Sequence, residues 1–152
     1  MSQSPSQRTI SNDLFFAEVE ECIADHRSVE MLLKGFSMRP FLRHQRDVIV
    51  LAPIESDKLR KGMVVLFRYR GAHLLHRYRG TYDGRLKMEG DGNYRIVEWA
   101  DKEDVVAYVE SVKRGGRVIR YGSLGWRVGS LWSLMLKVLR TAAIWTKRKI
   151  IG

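Results

Sequence analysis

Ser37 lies in Gly35-Phe36-Ser37-Met38-Arg39-Pro40, directly after the apolar run Met31-Leu32-Leu33. A glycine and a fixed-φ proline on either side suit a strand that ends in a sharp, rigid turn with the serine presented on it. A hydroxyl so placed is a nucleophile if a base takes its proton. Serine is also common in turns for a plainer reason, because its hydroxyl bonds to nearby backbone. The four histidines and the lysines are the candidate bases. His26 sits near an expected helix end, and His44 in the polar cluster Arg43-His44-Gln45-Arg46-Asp47. His73 and His76 form an HxxH, but on a strand positions three apart point to opposite faces, which argues against a shared metal. His76 shares a strand face with Leu74 and Tyr78 and is the better base. Asp91, in Gly90-Asp91-Gly92-Asn93, has the chemistry to orient that base as a third group, or to be an Asx-turn residue.

These side chains need elements to position them. Residues 1–11 read as a disordered tail, rich in Ser and Gln. Asn12 or Asp13 caps an expected helix from Leu14 to about His26, with Phe15, Val19, Cys22 and Ile23 on one stripe. From Val29 the period becomes two, which predicts a strand feeding the Ser37 turn. Short strands are expected over 48–51, 63–67, 73–79, 85–89, 96–99, 105–112 and 118–121, with turns at Arg70-Gly71, Asp83-Gly84 and Gly115-Gly116. The middle of the chain is therefore mainly β. Leu124 to Lys147 is helical in pattern. Leu124, Val128, Leu131, Leu134, Met135, Val138, Ala142 and Trp145 fall on one side, and Lys137, Arg140, Lys147 and Arg148 opposite. A basic amphipathic helix with tryptophans suits a membrane interface; packing on the domain or on a partner suits it equally.

The chain has 152 residues, 45% of them hydrophobic, enough for one domain with a core. A net charge of +10 favours anionic partners. The basic residues are spread along the chain with no nucleic-acid recognition motif, which ranks nucleic acid last among them. Cys22 is the only cysteine, which excludes an intramolecular disulfide and fits a reducing compartment. No secretion signal or spanning stretch is evident, so a cytoplasmic location is expected, with a peripheral position on the inner membrane face as its variant.

Five boxes occur in order: Gly35-Phe36-Ser37-Met38-Arg39-Pro40, Arg46-Asp47-Val48-Ile49-Val50, Lys61-Gly62-Met63-Val64-Val65-Leu66-Phe67, His76-Arg77-Tyr78 and Glu89-Gly90-Asp91-Gly92-Asn93. Together, over about residues 29–119, they resemble the signal peptidase I and LexA-like serine peptidases, the S24/S26 group, and most closely its Ser-His branch. The resemblance implies a coiled antiparallel β domain, flanked here by a leading and a trailing helix. It implies Ser37 as nucleophile, His76 as base where most members carry lysine, and Asp91 in the final box. Gly35, Phe36, Met38 and Pro40 would line the substrate, an extended peptide or protein precursor of leader or signal type. No cofactor and no metal are implied. Met63, Gly92 and Tyr78 depart from the family pattern. The N-terminal membrane anchor of signal peptidases is not expected here, and residues 1–28 are too short for the DNA-binding domain of LexA-like repressors. The alternative is a module that keeps the fold and binds peptide or membrane surface without catalysis.

Overall fold

The computed structural model describes residues 12–151. The expected tail, residues 1–11, lies outside them. Helix α1 runs Asn12–Ala24 and is followed by eight strands: β1 Val29–Leu32, β2 Val48–Ala52, β3 Val64–Tyr69, β4 Ala72–Tyr82, β5 Arg85–Glu89, β6 Glu98–Ala100, β7 Val105–Arg114 and β8 Arg117–Arg120. A final helix, α2, spans Leu124–Ile151. All strand pairings are antiparallel, in the order β1-β2-β7-β3-β4-β5-β6, with β8 paired to β7. The protein is mainly β with a helix at each end, as the alternating patterns predict.

Strand β3 lies mid-sheet and is buried on both faces, which is why its sequence is a continuous apolar run and not an alternation. Val64 and Leu66 join a core with Leu42, Ile49, Leu51, Val109 and Val112. Val65 and Phe67 join a second core with Met63, Tyr78, Leu86 and Met88. Helix α1 closes the first core through Val19, with Phe15, Phe16 and Ile23 beside it. Its Glu20 receives Arg68 Nε at 2.6 Å and lies 3.0 Å from His73 Nε2, while Phe16 stacks flat on the His73 ring. Burial pushes the Glu20 carboxyl up, but the Arg68 and His73 hydrogen bonds outweigh it and the net shift is down.

Some boundaries differ from those expected. Ile96 is 53% exposed and precedes β6 rather than starting it. The backbone enters that segment through Arg95 at φ +59°, a left-handed step that breaks strand geometry. Helix α2 runs to Ile151 and does pack on the β domain, but through its polar side. Ser130, Ser133 and Lys137 face inward beside Trp126, and most of the apolar stripe faces out.

Candidate functional site

The Ser37 turn is held from three sides. Gly35, at φ +111°, takes the chain out of β1 into a conformation that L side chains rarely adopt. Its N–H donates to His44 Nδ1 at 2.8 Å, and the His44 ring covers Phe36 at 4.7 Å. Next, Arg39 N–H donates to Phe36 O and Leu42 N–H to Met38 O. The third brace is the loop after β5. Gly92 N–H donates to Ser37 O at 2.7 Å. A Cβ on Gly90 would stand 2.7 Å from Ser37 O, and one on Gly92 3.0 Å from Phe36 O. Both positions are glycine because the two backbones touch.

Asp47 anchors the far end of the turn. Its buried carboxylate accepts from Arg114 Nε, Arg46 Nε and the Arg43 N–H at 2.8–2.9 Å. Burial pushes this carboxyl up, but the bonds from Arg114, Arg46 and Arg43 N–H outweigh it, and its pKa falls to about 2. A carboxylate depressed in the folded state adds stability that is complete above its unfolded value, near pH 4, and is lost as pH falls toward 2. The contribution is about 2 kcal/mol. In denaturant titrations the wild type should therefore lose up to about 2 kcal/mol more than Asp47→Asn between pH 4 and pH 2. Equal losses in the two proteins would remove Asp47 as the source.

Asp91 and His76 have separate partners. Arg77, fully buried on β4, grips Asp91 through Nε to Oδ1 at 2.8 Å and Nη2 to Oδ2 at 2.6 Å. Its Nη1 donates to Gly62 O and Ser130 Oγ, Ser133 Oγ donates to Asp91 Oδ2 at 2.7 Å, and the guanidinium lies over the Phe41 ring. This node ties β4, the 90–92 loop and α2 together. Such a pair is costly to break because the survivor is a buried, uncompensated charge. Asp91→Ala should lower the unfolding free energy by about 3–5 kcal/mol, read by chemical denaturation. A loss under about 1 kcal/mol would mean that Arg77 finds other partners.

The carboxylate on His76 is Glu98, not Asp91. His76 Nδ1 lies 2.9 Å from Glu98 Oε2, with both side chains more than nine-tenths buried. His76 sits on the second-core face of β4, edge-on to Phe67, while His73 turns to α1, so the two histidines of the HxxH part as their spacing requires. No motif marks Glu98 in the sequence, where it stands alone between Val97 and the exposed Trp99. The short period of β6, with Glu98 and Ala100 both inward, was the available signal.

Ser37 borders a cleft of about 330 Å³, lined by Leu33, Phe36, Met38, Leu74 and Leu75 among others. Gly35 and Met38 line it; Pro40 does not. The cleft runs beside β1, an edge strand paired only to β2, and the 72–76 stretch of β4, which β5 leaves unpaired. Among the described residues, neither Ser37 Oγ nor Ser37 N–H has a hydrogen-bond partner. His76 is not part of the cleft wall and is not bonded to Ser37. Met63 is buried in the second core. Compared with family models, curated proteins and solved structures, the chain matches none.

Proposed function

We propose that the protein is a serine endopeptidase acting on an extended peptide or protein precursor. The observation that carries this reading is the buried His76–Glu98 pair. A carboxylate on Nδ1 holds the tautomer in which Nε2 is unprotonated and can act as base. This reading requires His76 Nε2, which is not bonded to Ser37 in the free chain, to reach Ser37 Oγ when substrate binds and to take its proton as Oγ attacks the substrate carbonyl carbon, with Glu98 stabilising the imidazolium that forms. The unbonded Ser37 N–H serves as an oxyanion donor. His76 then gives the proton to the leaving amine, the C–N bond breaks, and water resolves the ester by the same route in reverse. The apolar cleft and the free edge of β1 suit a substrate added as a strand, with main-chain bonds for affinity and small pockets for side chains. The five ordered boxes support a leader- or signal-type substrate with small residues before the cut. A cytoplasmic site of action fits the single cysteine.

The test is a proteome-derived peptide library incubated with the purified full chain, with new termini mapped by mass spectrometry. Reproducible cuts after small residues are expected; an intact library overturns the reading. A second reading, a peptide-binding module without catalysis, is favoured by the missing Ser37–His76 hydrogen bond. It predicts library peptides retained uncut on the immobilised chain.

A further inference from the structure

Helix α2 shows its apolar side to the outside. Its inward side is occupied: Trp126 is buried, Ser130 and Ser133 hold the Arg77–Asp91 node, and Lys137 Nζ donates to Glu89 and to Gly90 O. On the opposite side Leu124, Val128, Leu131, Met135, Val138 and Trp145 recur three to four residues apart (save one seven-residue step) along one exposed stripe. Leu131 and Val138 are each 67% exposed, and Trp132 and Leu139 flank the stripe with more than half their surface in solvent. A contiguous apolar stripe of this length marks an interaction surface. The charge on the same helix identifies the occupant. Between Leu124 and Ile151 there is no Asp or Glu, while Arg127, Arg140, Lys147, Arg148 and Lys149 are basic in addition to Lys137, which Glu89 pairs. No helix among the described residues is long and apolar enough to cross a membrane.

We infer that α2 docks the protein on an anionic lipid bilayer, lying in the interface with its outer stripe among the acyl chains. A cationic helix without acidic residues is complementary to a negative surface, and tryptophans on the apolar flank are suited to the headgroup level. A second copy of the chain would set two cationic helices against each other, which like charge opposes. Docked in this way, the bilayer lies on the side of α2 away from the β domain, and the polar contacts with Arg77, Asp91 and Glu89 remain intact. The inference does not depend on the peptidase reading, since it is read by binding and not by cleavage.

The experiment is co-sedimentation of the full chain with phosphatidylcholine vesicles and with vesicles containing phosphatidylglycerol at a 7:3 ratio. Binding to the anionic vesicles is expected, weakening as salt rises. Leu131→Glu/Val138→Glu changes only exposed side chains and should keep the thermal midpoint while reducing partitioning by at least about 100-fold. Brominated lipid should quench tryptophan fluorescence in the wild type, which reports insertion without any variant. Absence of sedimentation with anionic vesicles overturns the inference, as does equal binding by the double variant. A wild-type dimer that the double variant dissolves, with no vesicle binding by either, overturns it in favour of a second copy.

Discussion

Ser37→Ala should lower the rate of every mapped peptide cut by about 10³-fold or more, with the unfolding midpoint unchanged. The two halves of that result come from separate features of the site. In the proposed mechanism Oγ forms the covalent ester, so its loss would leave only binding and oxyanion contacts to act on water. Its removal costs the fold little because Oγ has no hydrogen-bond partner among the described residues, so no polar group is left orphaned. The turn itself is held by backbone atoms: Gly92 N–H on Ser37 O, Leu42 N–H on Met38 O and Gly35 N–H on His44. None of these needs the serine side chain. Cuts that persist at the wild-type rate in Ser37→Ala would assign them to another hydrolase in the preparation and leave the binding-module reading standing.

Much of this arrangement is legible in the sequence because it is local. The Asp83-Gly84 hairpin is an example: both residues have positive φ, and the dipeptide is the one that such a turn demands. The Ser37 turn is likewise announced by its own glycine and proline. The polar partners are not legible, because they are choices among side chains far apart in the chain. Asp91 and Glu98 stand seven residues apart, and each can reach β4. Strand alternation decides between them. Arg77 and His76 point to opposite faces, so the loop carboxylate meets the guanidinium and the β6 carboxylate meets the imidazole. The orientation of α2 is hidden for a similar reason. An apolar stripe normally turns inward, and a helical wheel cannot show that Arg77 and Asp91 are waiting for two serines. The buried ion pair selects the polar side and leaves the apolar one outside.

Replacing Glu98 with glutamine should reduce the cleavage rate by about 10²–10⁴-fold with little change in KM. The substitution keeps the shape and the burial, so the β6 backbone and the second core stay in place. Two electrostatic effects are lost. The negative charge that, in the proposed mechanism, stabilises the imidazolium in the transition state disappears. In addition, the glutamine NH2 can donate to Nδ1, which favours the tautomer with the proton on Nε2 and would leave Ser37 without its proposed base. Asp91→Asn provides the contrast. It perturbs a carboxylate that touches Arg77 and not His76, so its effect should appear mainly in denaturant unfolding. If Glu98→Gln cleaves at the wild-type rate, the pair is a structural clasp between β4 and β6. Catalysis, if observed, would then need a different base for Ser37. If the rate falls and the unfolding free energy does not, the carboxylate acts on the histidine and the Ser37–His76 route gains its third member.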